Sequence, residues 1–326
     1  MRASNDPSFI ADQLCMRDTT LVTSSTPSFL NSVKKLDDAD VRNDFGWAFA
    51  PIGVISQSER DYLNYMQMHR FACYFGLPVV RWHVTLDYED VLGEAQHDEI
   101  YEAEINMWQY FVRGMPLLLT EALKSVRNLV NGTPCLADDF NFGSFEPPSE
   151  PLRAYQNGIY EVITLDHQPE HIIMRAGSSK NQPDSDRYKW HGVNLDDLDG
   201  LLVDFVENFN NERDEQLIPL PVSKNSWKVH VYSAFSALHG VPGDLRVKGF
   251  GYIVAFSMTV YKVQGKSMPK LLVNLPVRQT VPHMKTADLY VLISRTFLRT
   301  GLRWFIKDHT ACEDTCSKAH DAKLHA

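Results

Sequence analysis

The sequence lacks any apolar run near the roughly 20 residues that a membrane-spanning helix requires. Its first residues, MRASNDPSFI, do not have the charged and then apolar layout of a secretory signal peptide. Its five cysteines are odd in number and mostly scattered, which fits reduced thiols better than a disulfide framework. A soluble protein of an intracellular compartment is therefore expected.

Basic residues are also in short supply. The chain has 32 Lys and Arg against 41 Asp and Glu, which gives a formal net charge of −9. This balance excludes a strongly basic domain that binds polyanions over its whole surface, so any contact with nucleic acid must come from a local groove. The 326 residues, 44% of them hydrophobic, suffice for one large domain or two smaller ones.

A phosphate-binding P-loop is missing too, although one stretch imitates it. Gly265-Lys266-Ser267 has the ending of the string GxxxxGK[ST], whose first glycine stands five positions before the second. That position holds Val260, and a β-branched residue does not take the positive φ that the turn needs. Lys266 is therefore not predicted to bind a phosphate as a P-loop lysine does. No other stretch of the sequence fits the string.

Three consecutive elements near the start predict a strand, a helix and a second strand. Residues 48–55 are an apolar run typical of a buried strand. Ser58 is the predicted N-cap of the helix, and Gly76 followed by Pro78 predicts its end. Residues 79–84 are the second predicted strand. The order strand, helix, strand favours a parallel sheet flanked by helices.

The pattern changes in the middle of the chain. Between about residues 128 and 244, loop signals alternate with short β-like pieces, which predicts an inserted β-rich subdomain. A helix is predicted within it over 195–209. Buried-strand patterns then return at 253–256, 271–275 and 289–293, which are predicted to be central strands of an α/β sheet.

Local strings in this frame occur in the order found in a known family. The string FSMTVYKVQGKSM at 256–268 has an apolar strand, a threonine and Gln-Gly, as motif V does, and YVLISRT at 290–296 ends in Ser-Arg, as motif VI does. RGMPLLLT at 113–120 and LVNGT at 129–133 match the segment that leads into an inserted barrel. The chain thereby resembles the C-terminal half of the Pif-family DNA helicases, especially those associated with Helitron transposons.

The resemblance implies a fold as well as a class. It implies an α/β fold, namely a second RecA-like domain of the P-loop-NTPase type, called 2A, with an inserted small β-barrel subdomain, called 2B. Domain 2A would cover 1–125 and 246–306, subdomain 2B would cover 126–245, and 307–326 would be a tail.

The resemblance also assigns a nucleotide site. Arg295 of motif VI is the implied catalytic residue, an arginine that reaches across a cleft to stabilise charge on the γ-phosphate. Arg2 lies at the end of motif IV and is implied to face the nucleotide. Gln264 and Gly265 of motif V are implied to bind nucleotide, and glycine permits a close approach to its backbone.

The implied contacts with single-stranded DNA are Thr259, Tyr261 and Lys262. Thr259 and Lys262 are suited to a DNA backbone by hydrogen bonding and charge, and they equally fit an ordinary pair at a strand end. Two positions depart from the family: Tyr261 stands where a histidine is usual, and Ser267, which keeps a hydroxyl, where a threonine is usual.

Aromatic residues and the tail add two further expectations. Candidates for stacking on unpaired bases are Trp82, Trp108, Trp190, Trp227 and Tyr261, of which one or two at most are expected to do so. Packing roles are predicted for Trp47 and Phe49. No metal site is predicted, because His309, Cys312, Cys316 and His320 would lie along one helix face and span too far for tetrahedral ligation.

The function implied by the resemblance is that of the C-terminal module of an ATP-dependent 5′-to-3′ DNA helicase, with ATP and Mg²⁺ as cofactors and single-stranded DNA as partner. Since the sequence holds no P-loop string, activity would need a separate P-loop domain. The nucleus or another DNA-containing compartment is the expected location. The alternative is an inactive, transposon-derived remnant that binds single-stranded DNA weakly or acts as a scaffold.

Overall fold

The computed structural model describes most of the chain. The described residues are 6–17, 31–87, 94–123, 129–141, 155–156, 161–176, 217–231, 243–275 and 284–307. They belong to two compact units: the first comprises the described residues up to Asn64 and from Ala255 onward, and the second those from Tyr65 to Val254. The proposed boundaries of domains 2A and 2B stay predictions.

Helices and strands of the described residues are numbered here in chain order. The helices are α1 (Pro7–Arg17), α2 (Asp38–Asn43), α3 (Gln57–Phe75), α4 (Glu94–Ala103), α5 (Val260–Val263) and α6 (Thr286–Ile293). The first strands are β1 (Ile52–Val54), β2 (Val79–His83), β3 (Thr85–Leu86), β4 (Trp108–Phe111), β5 (Pro116–Leu119), β6 (Pro134–Asn141), β7 (Tyr155–Gln156) and β8 (Glu161–Thr164). The remaining strands are β9 (His171–Ala176), β10 (Leu217–Pro221), β11 (Trp227–His230), β12 (Asp244–Lys248), β13 (Tyr252–Val254), β14 (Ser257–Thr259), β15 (Leu271–Leu275) and β16 (Leu302–Lys307).

The first unit is built on a four-stranded parallel sheet in the order β14-β1-β15-β16. Its central strands are short and mainly apolar, and every residue of β1 and of β15 is buried. Such continuous burial is typical of a parallel strand that is covered on both faces. The strand predicted at 271–275 is confirmed as β15.

Helices cover both faces of this sheet. Successive side chains of a strand point to opposite faces, so Gly53 faces one side while Ile52 and Val54 face the other. A Cβ added at Gly53 would lie 2.5 Å from Leu292 of α6, which places α6 on the first face. Leu63 of α3 packs against the cluster of buried residues that contains Ile52 and Val54, on the second face. The predicted α/β class, a parallel sheet flanked by helices, is confirmed.

The predicted strand-helix-strand unit is wrong in one respect. Its three elements exist as β1, α3 and β2, but β2 does not join the sheet of β1. Strand β1 already has a parallel neighbour on each side, β14 and β15, so no edge of β1 is left for β2. Strand β2 instead pairs with β4 in antiparallel and with β8 in parallel orientation.

Two other predicted central strands are also wrong. The run at 253–256 overlaps β13, which pairs antiparallel with β5 in a different, five-stranded sheet. The run at 289–293 is the second half of helix α6. Leu289, Leu292 and Ile293 are its buried residues, at the three- and four-residue spacing of one helix face.

The ends of α3 follow capping rules, with a shift at the start. The Ser56 hydroxyl, not that of Ser58, accepts the backbone N–H of Glu59 at 3.2 Å, so the helix begins two residues earlier than predicted. At the other end, Gly76 has a φ of +63°, the left-handed conformation that closes a helix, as predicted.

The second unit is β-rich. Its described strands form a five-stranded sheet in the order β10-β9-β6-β5-β13, a three-stranded sheet β11-β12-β3 and a four-stranded sheet β4-β2-β8-β7. Closure of such strands into a barrel stays a prediction. The helix predicted at 195–209 lies outside the described residues.

In the described part of the chain, no helix is long and apolar enough to cross a membrane.

Candidate nucleotide and nucleic-acid site

The string that resembles motif V forms a strand, a one-turn helix and a glycine turn. Strand β14 ends at Thr259, helix α5 follows at once, and Gly265 has a φ of +85°. The N–H of Gln264 donates to the carbonyl of Val260 at 3.1 Å, and that of Lys266 to the carbonyl of Val263 at 3.0 Å. The positive φ of Gly265 thus ends the helix and reverses the chain.

This order of elements excludes a P-loop on structural grounds as well. In a P-loop, the glycine-rich turn comes first and its Gly-Lys-Ser end opens a helix whose N–H groups hold phosphate. Here the helix precedes Gly265, and the chain after Ser267 leads through Met268 into β15. Val260 sits at the first position of α5, so the prediction that it cannot serve as the first P-loop glycine is supported by its helical conformation.

The string that resembles motif VI lies beside this turn. Arg295 follows the end of α6, and its carbonyl accepts the N–H of Met268 at 2.8 Å. Met268 also forms a parallel bridge with Thr296. The structure therefore brings the end of motif V, with Gln264 and Gly265 a few residues away, next to the motif VI arginine.

The Arg295 side chain is folded back on its own helix. Its Nε donates to the carbonyl of Val291 at 2.8 Å, and a terminal nitrogen donates to the Ser294 hydroxyl at 2.6 Å. Ser294 in turn donates to the same Val291 carbonyl at 3.0 Å. These bonds satisfy a carbonyl at the C-terminal end of α6, where a positive charge is also favoured by the helix dipole.

The three predicted DNA-contacting residues differ in their exposure. Thr259 is 7% exposed, so its side chain is buried at the end of β14, whereas Tyr261 is 81% exposed. Lys262 is partly buried. Among them Tyr261 therefore offers an open aromatic face.

The electrostatics at Lys262 come from burial first and from Arg60 second. Burial lowers the pKa of the Lys262 ammonium because it removes water from the charged form, and the nearby positive charge of Arg60 lowers it further. Arg60 itself is paired with Asp61, with 2.5 Å between the nitrogen and the carboxylate oxygen. A phosphate at Lys262 would offset both unfavourable effects.

Sequence reasoning missed the residues that hold motif V in place. The Asn64 side chain accepts the N–H of Ser257 at 2.6 Å and donates to the carbonyl of Ser257 at 3.2 Å. The Asn274 side chain donates to Glu59, in the first turn of α3. A signal for Asn64 existed, because an asparagine on the apolar face of a helix must find polar partners when it is buried.

Other predicted sites are placed as follows. Trp82 is fully buried, so it offers no face to a base, and Trp47 and Phe49 are buried as predicted. Trp227 packs against a cluster of buried residues in the second unit. Arg2, Trp190 and the histidines and cysteines of the tail lie outside the described residues. Within the described ranges, no three His, Cys, Asp or Glu side chains are grouped to hold a metal ion.

The turn at Gly265 carries a first testable prediction. A Cβ at Gly265 would meet nothing within 4 Å, so only the backbone conformation opposes a side chain there. We expect Gly265→Ala to lower the free energy of unfolding by about 1–2 kcal/mol, because an alanine is strained at positive φ. Gly265→Asn should cost less, since asparagine tolerates this region. Urea unfolding of both variants measures the difference. Equal stability of Gly265→Ala and wild type would contradict a turn with positive φ at Gly265.

Comparison with solved structures finds Pif1 helicases. The crystal structure of Pif1 helicase from Candida albicans has 14% sequence identity and a TM-score of 0.49, and the match covers 99% of this chain and 59% of that one. Bacteroides Pif1 bound to single-stranded DNA has 12% identity, a TM-score of 0.49 and coverage of 99% and 55%. Bacteroides Pif1 in complex with ADP-AlF3 and single-stranded DNA has 12% identity, a TM-score of 0.46 and the same coverage.

The chain thus spans 55–59% of the length of these helicases. Neither a protein-family model nor the sequence of a curated protein matches it. With TM-scores below 0.5, the likeness carries no conclusion about activity. The α/β class is established by the parallel sheet and the helices on its two faces.

Proposed function

We propose that the chain is the second RecA-like module of a Pif-like, ATP-dependent 5′-to-3′ DNA helicase. The observation that carries this proposal is the hydrogen bond of 2.8 Å from Met268 to the carbonyl of Arg295. It joins the two strings that resemble motifs V and VI, which are 27 residues apart at these two positions. The protein would act in the nucleus or in another DNA-containing compartment.

ATP fits the backbone around Gly265. Gly265 has a positive φ and the space at its Cβ position is open, so this turn has room for the close approach of a phosphate or a sugar. Gln264 and Gly265 would hold the nucleotide, and hydrolysis of bound ATP would supply the free energy for translocation. Mg²⁺ would be held by acidic ligands of a P-loop domain. Among the described residues, no three His, Cys, Asp or Glu side chains are grouped to hold a metal ion.

Arg295 would act as the arginine finger of the assembled site. To reach a phosphate, its side chain has to leave the Val291 carbonyl and the Ser294 hydroxyl. The positive charge would then stabilise negative charge that develops on the transferred phosphoryl group. Ser294 can keep its own bond to Val291 during this movement, so the end of α6 stays capped.

Binding of DNA at motif V is tested first by charge removal. We expect Lys262→Gln to weaken binding of a fluorescent oligo(dT) and to reduce the slope of log K against log salt by about 0.7, the value for one phosphate contact with a single strand. Lys224→Gln removes the same charge from an exposed lysine and is the matched control. Identical slopes for the two variants would contradict a phosphate contact at Lys262.

Tyr261 is tested by its contribution to stacking. Because its side chain is 81% exposed, Tyr261→Ala should leave the stability unchanged. Loss of a stacked base should weaken oligo(dT) binding by about 1–3 kcal/mol. An abasic oligonucleotide should bind wild type and variant alike, since it offers no base to stack. A loss of affinity that is equal for both oligonucleotides would argue against stacking.

Two assays separate the helicase module from the inactive remnant and the scaffold. The chain by itself is expected to show no ATP turnover, and DNA-stimulated turnover would contradict the need for a P-loop domain. Addition of a Pif-type P-loop domain should give ATP turnover that depends on Arg295, whereas an inactive remnant would show no turnover. Failure to bind any oligonucleotide at low salt would leave the scaffold as the function.

A further inference from the structure

A second cationic site lies in the β-rich unit, on the outward face of the sheet β4-β2-β8. Along β2, Val80 and Trp82 are buried, while Arg81 is partly buried and His83 is exposed. Arg81 pairs across the sheet with Tyr110, and His83 with Trp108. Because side chains alternate between the two faces, Arg81 and His83 share the outward face.

Arg81 is held in place by uncharged groups. Its Nε donates to the Thr164 hydroxyl of β8 at 2.9 Å, and its guanidinium carbon lies 4.1 Å from the centre of the Trp108 ring. Among the described residues no carboxylate forms an ion pair with it. The positive charge of Arg81 is thus not balanced by a carboxylate within the described part of the protein, although burial of an arginine favours such a partner.

The neighbours of Arg81 add no compensating charge. Burial, and then the positive charge of Arg81, lower the pKa of His69 to about 4, so His69 is neutral near pH 7. Burial raises the pKa of Tyr110, so its hydroxyl stays protonated. The rings of Tyr65 and Tyr110 lie 4.4 Å and 6.5 Å from that of His69, so the neutral His69 packs among aromatic rings.

Planar rings continue along the same face. His83 stacks on Tyr101 of α4, with ring centres 4.0 Å apart and an angle of 25° between the planes. The ring of Trp108 also lies beside His83, at 3.8 Å and 55°. An arginine beside aromatic rings, of which His83 is exposed here, is the combination with which proteins hold unpaired nucleic acid, since the arginine contacts the phosphate and the rings contact the bases.

We propose that Arg81 binds a phosphate of a single-stranded nucleic acid, with the adjoining rings of His83 and Trp108 next to the bases. Within the described part of the protein, Arg81 donates to Thr164 through Nε alone, which leaves its two terminal nitrogens for a phosphate. Arg81 belongs to the second unit and Lys262 to the first. Each is proposed to contact a phosphate of a single-stranded nucleic acid.

Chemical protection tests the site without altering the fold. Phenylglyoxal modifies accessible arginines, and mass spectrometry reads each site separately. Oligo(dT) is expected to protect Arg81 from modification, whereas Arg70, an exposed arginine of α3, should react equally with and without it. Protection by ATP but not by oligo(dT) would overturn the assignment to a nucleic acid in favour of a free nucleotide. Protection of neither arginine by any of these ligands would overturn the site.

Affinity gives the second readout. We expect Arg81→Gln to weaken oligo(dT) binding roughly tenfold to a hundredfold, as for loss of a charged hydrogen bond, and to lower the salt slope by about 0.7. Arg70→Gln removes the same charge from an exposed position and should change neither value. Arg81→Lys should keep the slope while losing affinity, because lysine retains the charge without the fork.

These outcomes are distinct from those of the proposed helicase role. If Arg81→Gln and Arg70→Gln bind alike while Lys262→Gln is weakened, the second site is overturned and the motif V contact stands. If only the Arg81 variant is weakened, the second site stands and the motif V contact is overturned. Thermal melting of Arg81→Gln that matches wild type shows that a loss of binding does not come from unfolding.

Discussion

Gly301→Ala is expected to destabilise the first unit severely. A Cβ built at Gly301 would lie 2.1 Å from the carbonyl oxygen of Pro269, a backbone atom that a side-chain rotation cannot relieve. Overpacking of this kind costs about 3 kcal/mol or more, because two segments of main chain must move apart. Urea unfolding should show a lower midpoint, and low soluble yield is the extreme form of the same result.

The control for this prediction is Gly243→Ala. Nothing lies within 4 Å of a Cβ at Gly243, and its φ is not positive, so its alanine variant should unfold like wild type. If Gly301→Ala were as stable as Gly243→Ala, the close approach of Pro269 and Gly301 would be wrong.

This close approach also concerns the candidate site. Pro269 lies directly after Met268, and Gly301 lies at the end of the turn that follows Thr296. The two contacts that join motifs V and VI, Met268 to Arg295 and Met268 to Thr296, are therefore next to the point where a Cβ would collide. Only glycine lets the two segments lie this close together.

The fold was predictable where local pattern and burial agree. Residues 271–275 are apolar except for Asn274, and β15 is buried throughout, as a central parallel strand should be. Residues 289–293 form a similar, mainly apolar run and lie in helix α6. A run of five apolar residues fits a buried strand and a buried helix alike, so periodicity cannot separate the two. The capping contact from the Lys285 N–H to Asp288, at 3.0 Å, fixes the helix start.

Long-range pairing was the part that sequence could not supply. The order of β1, α3 and β2 is local information, but the neighbours of β1 are strands from the end of the chain, more than 200 residues away. A strand-helix-strand order predicts a parallel pair only when no other strand takes the adjoining edge. Here β14 and β15 take both edges, and β2 lies in another sheet.

In the candidate site, too, local sequence strings were predictable and long-range contacts were not. Gln264, Gly265 and Arg295 were implied by resemblance, and the structure links their two segments through Met268. Lys262 was implied too, but its neighbour Arg60 was not, because long-range contacts such as the pairing of β1 with β14 bring the two together. Arg81 was not singled out either, since an arginine inside an apolar strand gives no sign of whether an acidic partner faces it.

Asn64→Ala is expected to lower the free energy of unfolding, because it removes two hydrogen bonds that hold the main chain of motif V at Ser257. Its amide makes both a donor and an acceptor bond to the main chain of Ser257, at 3.2 Å and 2.6 Å, and both residues are buried. Alanine would leave a buried N–H and a buried carbonyl without these bonds, which costs about 2–4 kcal/mol in the free energy of unfolding.

Ser257→Ala is the matched comparison at the same contact. The Ser257 hydroxyl is buried and has no hydrogen-bond partner in the described structure, so its removal should leave stability unchanged or raise it by up to about 1 kcal/mol. In urea unfolding we therefore expect a lower free energy of unfolding for Asn64→Ala and an unchanged or slightly higher one for Ser257→Ala. Similar losses from both would show that burial at this position, rather than the two amide bonds, holds β14 to α3.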